Sequence, residues 1–270
     1  MQLIHETVNY QSEPSAELTG YLIDNSPQID TTRTRPAVII CPGGGYEMTS
    51  DREAEPVALQ IMASGAQAFV LRYSVSPIRY PVALHQLAYS VALIRQHAAQ
   101  WHIDPDKIIV AGFSAGGHLA ACLGVFWNAA ELTNIGLTPT QMQPNGLLLC
   151  YPVITTGQYC HQGSFTNLLG ADQTDLAKRT KLSVEQQVNT DTPPTFIWQT
   201  VADGSVPVEN SLLFAKALRQ VGVPFELHLF PNGRHGLSLA TTEVNGDPQF
   251  NHPEVAVWFD LFVTWLQRSF

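Results

Sequence analysis

The chain of 270 residues is 45% hydrophobic and 14% charged, a balance that is typical of a folded globular protein and excludes a disordered one. Its formal net charge of −9 disfavours nucleic acid or an anionic membrane as the main partner. No apolar run approaches the roughly 18 residues of a membrane span, and the N-terminus lacks a secretory signal, so we expect a cytoplasmic protein that binds neither nucleic acid nor membrane.

Short apolar runs alternate with segments of helical periodicity along most of the chain. Residues 1–35 predict edge strands and a loop, with an alternating stretch at 19–23. The elements predicted after them are strands at 36–41, 66–73, 108–110, 146–151, 195–200 and 225–230, and helices at 51–63, 81–100, 119–123, 208–221 and 254–267. A turn is predicted at 104–106. This alternation predicts an α/β fold with a mostly parallel central sheet and helices on both of its faces.

Residues 152–193 interrupt this alternation, because they lack clear periodicity and carry many polar side chains. We predict that they form a small insertion, or cap, over the functional site. The sequence has no internal repeat and no linker that would divide the chain. We therefore predict a single domain at 1–270 that includes the cap.

The cysteines and histidines do not form a pattern that is typical of a metal site. The four cysteines have no Cys-x-x-Cys spacing and three lie in apolar runs, so we expect free thiols in a reducing compartment. His161 follows Cys160, but the sequence offers no second pair of ligands at metal spacing and no His-Glu-x-x-His motif. We predict neither a metal nor a cofactor, and we expect His118 to pack locally rather than react.

The stretch at 107–120 carries the most specific motif of the chain. A β-branched run ends at Gly112-Phe-Ser114-Ala-Gly116, and a small apolar run compatible with a buried helix follows it. A strand that turns sharply into a helix through Gly-x-Ser-x-Gly exposes the serine hydroxyl at the end of the strand. The two glycines are expected where a Cβ would collide with neighbouring backbone. We therefore predict that Ser114 is a nucleophile, with the positive end of the helix beside it.

A serine nucleophile needs a base that takes its proton and a carboxylate that orients the base. In this fold the partners follow in the order serine, acid, histidine, each at the carboxyl end of a later strand. The strand at 195–200 leads to Asp203, the strand at 225–230 leads to His235, and a glycine follows each. We predict that Asp203 is the acid and His235 the base. The weaker candidates for the acid lie in the insertion: Asp172, Asp175 and Asp191.

A tetrahedral intermediate also needs backbone N–H groups fixed around its oxyanion. Ala115 supplies one of them, because it directly follows the nucleophile. The run Pro42-Gly-Gly-Gly-Tyr46 ends a buried strand in the manner of the His-Gly-Gly-Gly motif, so we predict Gly44 and Gly45 as the other donors. A glycine run can equally form a flexible turn, but three glycines directly after a buried strand are more specific than that.

These motifs together resemble those of an α/β-hydrolase: Pro-Gly-Gly-Gly-Tyr, Gly-Phe-Ser-Ala-Gly-Gly-His-Leu-Ala, Ala-Asp-Gly and Arg-His-Gly, in this order from about Pro36 to the end. More closely, the chain is similar to small microbial esterases found beside xylan-degrading enzymes, which remove acetyl or other short acyl groups from carbohydrates. The resemblance implies ester hydrolysis through an acyl-enzyme on Ser114, without a cofactor. Pro42 departs from the pattern, because lipase-type relatives have a histidine there.

The small-molecule ester that serves as substrate is less well defined by the sequence. Tyr46, Tyr151 and the insertion after Pro152 are candidates for the mouth of the site, where an aromatic ring suits a sugar face or an apolar acyl chain. Because there is no long apolar lid helix, we expect short acyl esters rather than lipids. Two alternatives stay open, a small peptidase of the prolyl-oligopeptidase type and a catalytically silent binding module. The oligomeric state is also open, with a homodimer as one option.

Overall fold

One sheet organises the protein in the computed structural model, which describes the backbone of residues 1–270 and all side chains except those of Glu131 and Thr133. Its strands are β1 (Gln2–Val8), β2 (Ala16–Leu22), β3 (Arg35–Cys41), β4 (Gln67–Arg72), β5 (Ile103–Phe113), β6 (Gly146–Cys150), β7 (Thr195–Thr200) and β8 (Phe225–Phe230). They lie in the order β1-β2-β4-β3-β5-β6-β7-β8. Strands β3 to β8 are parallel, and β1 and β2 are antiparallel to their neighbours. The predicted mostly parallel sheet is confirmed.

Helices cover both faces of this sheet. They are α1 (Glu55–Ala63), α2 (Val82–Gln96), α3 (Ala115–Phe126), α4 (Ala130–Thr133), α5 (Pro139–Met142), α6 (Gln162–Leu169), α7 (Leu176–Leu182), α8 (Glu209–Val221), α9 (Pro253–Ala256) and α10 (Trp258–Ser269). Helices α2, α3 and α8 pack on one face, and α1 and α10 pack on the other. Successive strand residues point to opposite faces, so Ile39 joins one core and Ile40 the other. This is why the inner strands read as continuous apolar runs.

Two predicted helices are broken in the structure. The helix predicted at 51–63 starts as a 3₁₀ turn, Asp51–Glu53, and resumes as α1, because Ala54 leaves helical geometry with φ −113° and ψ −104°. The helix predicted at 254–267 divides into α9 and α10 at Val257. Helices α9 and α10 nevertheless pack on the same face of the sheet, together with α1.

The turn predicted at 104–106 is part of β5 in the structure. There the carboxylate of Asp104 accepts the N–H of Asp106 at 3.1 Å, and the register between β3 and β5 shifts. The local turn chemistry is therefore present, but it forms an irregularity within a longer strand. It lies at the opposite end of β5 from Ser114.

The carboxyl ends of β3, β5, β7 and β8 share one edge of the sheet and carry the predicted site residues. The cap at 152–193 connects β6 to β7 and contains α6, α7 and two 3₁₀ turns, Gly170–Thr174 and Val184–Gln186. The fold thus gathers chain segments that are distant in sequence around one edge. Among the described residues, none of the helices combines the length and the apolar character that crossing a membrane requires.

Candidate active site

Ser114 lies in the sharp turn between β5 and α3. Its backbone has φ +54° and ψ −117°, a conformation that residues other than glycine rarely adopt. A Cβ on Gly112 would lie 2.1 Å from the carbonyl oxygen of Gly116, and a Cβ on Gly116 would lie 2.0 Å from that of Cys41. Both glycines are therefore required by the close approach of strand and helix. The turn holds the Ser114 side chain at the carboxyl end of β5.

The three residues predicted as nucleophile, base and acid come together in one chain of hydrogen bonds. His235 Nε2 lies 2.8 Å from Ser114 Oγ, and His235 Nδ1 lies 2.7 Å from Asp203 Oδ2. A carboxylate accepts hydrogen bonds only, so the neutral imidazole carries its proton on Nδ1. Nε2 is then free to accept the hydroxyl proton of Ser114.

Asp203 is held so that its carboxylate stays ionised. Its side chain is fully buried, and Oδ1 accepts the backbone N–H groups of Ser205 at 2.9 Å and Val206 at 3.0 Å. Burial alone would raise the pKa of Asp203, but the hydrogen bond and charge of His235 and the two N–H groups lower it below its ordinary value. At neutral pH the carboxylate can therefore orient the imidazole and stabilise its protonated form.

The glycine loop after β3 lies directly against Ser114, since a Cβ on Gly43 would be 3.0 Å from Ser114 Cβ. Gly44 and Gly45 have φ values of +130° and +65°, which suit glycine. The carbonyl of Gly45 accepts a hydrogen bond from Asn167 Nδ2 in the cap at 2.9 Å. The N–H groups of Gly44 and Gly45 find no acceptor within the described part of the chain, so they are available to a bound oxyanion.

Ala115 offers a further N–H group at the start of α3. The first hydrogen bond of the helix runs from the N–H of His118 to the carbonyl of Ser114 at 3.1 Å. The N–H of Ala115 therefore has no helical partner, and it lies at the positive end of the helix dipole beside the serine.

A cavity of about 420 Å³ opens above these groups. The residues that matter most for its chemistry are Gly44, Gly45, Ser114, His161, Ser205 and His235. Its lining is polar in large part, and its volume is that of a small-molecule site. The predicted nucleophile, base and glycine loop thus face one common space.

Glu53 is a buried acid beside the site that the sequence analysis missed. It is 3% exposed, and its Oε2 accepts the N–H of Gly43 at 2.8 Å while Oε1 accepts the hydroxyl of Tyr151 at 2.6 Å. The Tyr151 hydroxyl in turn accepts the N–H of Ser238 at 2.9 Å. Glu53 therefore connects the glycine loop to the loop that carries His235. No local pattern distinguishes this glutamate from the exposed Glu55, so the sequence gives no signal for it.

Tyr46 and Tyr151, predicted at the mouth of the site, are buried instead, with exposures of 3% and 2%. Their φ values of +58° and +38° mark sharp reversals after β3 and β6 that direct both rings into the protein. The Tyr46 hydroxyl lies 2.9 Å from His118 Nδ1, and the Tyr151 ring contacts that of His235 edge to face, with centroids 5.1 Å apart. Tyr46 therefore packs against His118, and Tyr151 packs against His235.

His118 packs in the interior, and its hydrogen bonds join α3 to the cap. The ring is fully buried. Its Nδ1 accepts the Tyr46 hydroxyl, and its Nε2 donates to the carbonyl of Leu182 in the cap at 2.9 Å. Burial lowers the pKa of His118 to about 4, so the ring is neutral at physiological pH.

The chain matches a known protein family over most of its length. A model of the BD-FAE family matches residues 25–218. The chain is also 42% identical over 214 residues to endo-1,4-β-xylanase B of Butyrivibrio fibrisolvens, a match that covers 77% of this chain and 33% of that protein. The chain spans about half the length, or less, of the curated relatives it matches.

Two solved structures match nearly the whole chain. The acetyl ester-xyloside bifunctional hydrolase from Caldicellulosiruptor lactoaceticus is 40% identical, with a TM-score of 0.82 over 94% of this chain and 88% of that one. The carboxylesterase Cest-2923 from Lactobacillus plantarum WCFS1 is 33% identical, with a TM-score of 0.87 over 99% of this chain and 98% of that one. The whole sheet, its helices and the cap therefore have counterparts in hydrolases of known structure.

Proposed function

The chain belongs to the BD-FAE family and has the predicted α/β-hydrolase fold, and on this basis we propose that it hydrolyses short-chain carboxylic esters. In this proposal Ser114 is the nucleophile, His235 the general base and acid, and Asp203 the residue that orients His235. The donors to the oxyanion are the N–H groups of Gly44, Gly45 and Ala115. The proposed substrates are small esters, with acetylated carbohydrates as the natural class.

The observation that carries this proposal is the unbroken hydrogen-bond chain from Ser114 through His235 to Asp203, which opens on the cavity. It supplies a nucleophile, a base of the correct tautomer and an ionised carboxylate in one place. A binding module has no chemical need for these three groups together. The arrangement therefore favours catalysis over the silent-module alternative.

The reaction has two steps. Ser114 Oγ attacks the ester carbonyl carbon while His235 Nε2 takes the hydroxyl proton, and the new oxyanion receives hydrogen bonds from Gly44, Gly45 and Ala115. The ester C–O bond then breaks, and His235 gives the proton to the departing alcohol. In the second step His235 takes a proton from water, the hydroxide attacks the acyl-enzyme, and the acid leaves as the proton returns to Ser114.

Two observations support a small acyl group on a carbohydrate. The cavity of about 420 Å³ is small, and Arg52, His161 and Ser205 give it polar groups that suit an alcohol with several hydroxyls. The similar hydrolase from Caldicellulosiruptor lactoaceticus is described as acting on acetyl esters and xylosides. We extend that substrate class to this chain as part of the proposal.

The experiment compares hydrolysis of p-nitrophenyl acetate by the wild type, by Ser114→Ala and by Ser12→Ala, an exposed serine that serves as the matched control. We expect Ser114→Ala to lose at least about 1,000-fold in kcat and Ser12→Ala to be unchanged. A fluorophosphonate should label Ser114, as mapped by mass spectrometry. Unchanged turnover in Ser114→Ala would contradict the proposal and favour the binding module.

The size of the acyl group is tested with p-nitrophenyl esters of increasing chain length. We expect kcat/KM to fall from acetate to octanoate, because the polar groups of Arg52, His161 and Ser205 in the cavity lining offer no favourable contact to the added methylene groups. Faster turnover of octanoate than of acetate would contradict the short-chain assignment.

A further inference from the structure

His161 is the cap residue whose ring faces the catalytic groups. It immediately precedes α6 and lines the cavity together with Ser114 and His235. No step of the proposed reaction uses this histidine.

The hydrogen bonds of His161 fix its tautomer. Nδ1 accepts the backbone N–H of Ser164 at 3.4 Å and lies 2.8 Å from the Ser164 hydroxyl, so it acts as the N-cap of α6. A ring nitrogen that accepts an amide N–H carries no proton, and the proton of the neutral imidazole is therefore on Nε2. Burial, followed by the charge of His235, lowers the pKa of His161, so the neutral form dominates at pH 7.

The Nε2–H group of His161 is a donor without an acceptor among the described residues. A partly buried N–H group in a polar cavity gains free energy when a bound molecule supplies an acceptor. Such an acceptor must be an uncharged or anionic oxygen, and a carbohydrate offers several hydroxyl oxygens within the span of one ring. Helix α6 therefore presents a fixed donor to whatever enters the cavity.

The position of His161 indicates which part of the substrate it reaches. His235 delivers its proton to the departing alcohol, so the alcohol part of the ester lies on the side of His235. His161, His235 and Ser205 line the same cavity. The acyl group is held by the oxyanion donors and needs no further donor.

We propose that the Nε2–H group of His161 donates a hydrogen bond to a hydroxyl oxygen of the alcohol part and so selects esters of polyhydroxy alcohols. This inference rests on the proposed function, because it assigns a binding residue to the same site. It gives the cap a specific role, since His161 contributes substrate recognition and the strand ends contribute the reaction.

The test compares two acetate esters whose alcohols have a six-membered ring and a secondary hydroxyl. Methyl 2-O-acetyl-β-xyloside keeps free hydroxyls on its ring, one of them adjacent to the ester, and cyclohexyl acetate has none. The variant His161→Asn keeps an N-cap side chain but is too short to place a donor where Nε2–H lies. We expect kcat/KM of His161→Asn to fall about tenfold on the xyloside and to stay within about twofold on cyclohexyl acetate.

A second variant separates the hydrogen-bond donor of His161 from its role as the N-cap of α6. His161→Gln carries an amide donor on a longer side chain, so it should keep a preference for the xyloside that His161→Asn has lost. Equal losses on both esters, or no loss on either in a variant with the Tm of the wild type, would overturn the role of His161 and leave the proposed function standing. A wild type that hydrolyses neither ester would overturn the proposed function and this inference together.

Discussion

The two sides of the cavity are built differently. On one side the strand ends hold Ser114, Asp203 and His235 through backbone contacts, and the glycines around Ser114 leave no room for a Cβ. On the other side the cap at 152–193 contributes the side chain of His161, which immediately precedes α6, and several cap residues are exposed, such as Leu176 at 78%. The backbone therefore fixes the geometry of Ser114 and its partners, whereas side chains determine the chemistry of the opposite side of the cavity.

The largest effect should come from the acid at the strand ends. Asp203→Asn keeps the size of the side chain but offers an N–H group to His235 Nδ1, which favours the wrong tautomer. We expect kcat for p-nitrophenyl acetate to fall about 10⁴-fold with the fold intact, as measured by steady-state kinetics and circular dichroism. Asp172→Asn, the same change at an exposed acid of the cap, should leave kcat unchanged. A similar loss in both variants would remove the distinction between the two sides.

The next effect is on stability, and it concerns His118, which joins α3 to the cap. Because burial lowers the pKa of His118 to about 4, whereas a histidine in the unfolded chain has a pKa near 6.5, the unfolded chain binds the extra proton between these values. Stability should therefore fall as pH decreases from about 6.5 to about 4. The loss contributed by this one group is about 3 kcal/mol in the free energy of unfolding.

The variant His118→Gln removes this titration while it keeps one donor and one acceptor for Leu182 and Tyr46. Urea unfolding at a series of pH values should show a shallower loss of stability in His118→Gln than in the wild type. His5→Gln, at an exposed histidine, should retain the wild-type slope. Parallel curves for His118→Gln and the wild type would mean that the contact of His118 between α3 and the cap does not titrate in this range.

A smaller effect is expected behind the strand ends, at Glu53. The amide of Glu53→Gln has one accepting oxygen, so it cannot accept from both the N–H of Gly43 and the hydroxyl of Tyr151. The glycine loop should shift slightly, and we expect kcat to fall on the order of 10- to 100-fold with KM for p-nitrophenyl acetate nearly constant. The matched control is Glu55→Gln, which changes the same charge at an exposed position. A kcat within twofold of the wild type would show that Glu53 does not position the loop.

The strand-end side could be predicted from the sequence because its constraints are local. Gly112 is required by a contact that its own turn creates, and Gly116 by the close approach of β3. Asp203 and His235 each follow a strand whose bounds the sequence predicts. Parallel strands bring their carboxyl ends to one edge, so the order of the elements brings these residues together. The break in the helix predicted at 51–63 does have a signal in the sequence, because Pro56 lies in the first turn of α1 and has no N–H group to continue a helix that began at residue 51.

The remaining site residues depend on how the chain reverses after each strand. The sequence makes Tyr46 and Tyr151 candidates for the mouth of the site. In the structure both residues have positive φ values and buried side chains. A positive φ can be expected from the sequence mainly where the residue is glycine. His161 lies in a segment without periodicity. Its distance from Ser114 depends on the packing of α6, which the local pattern does not determine.

The cap is an unusually long connection between two neighbouring strands of the sheet. Strands β6 and β7 are parallel neighbours, and a crossover between such strands needs only about a dozen residues. The chain uses residues 151–194 for it, and doubling a loop of this kind costs only about 0.6 kcal/mol in closure entropy. The first residues of this connection are constrained, because the N–H of Val153 donates to the carbonyl of Ser114 at 3.0 Å. Beyond that hydrogen bond, changes in the length of the cap have a low cost in closure entropy and leave the strand ends in place.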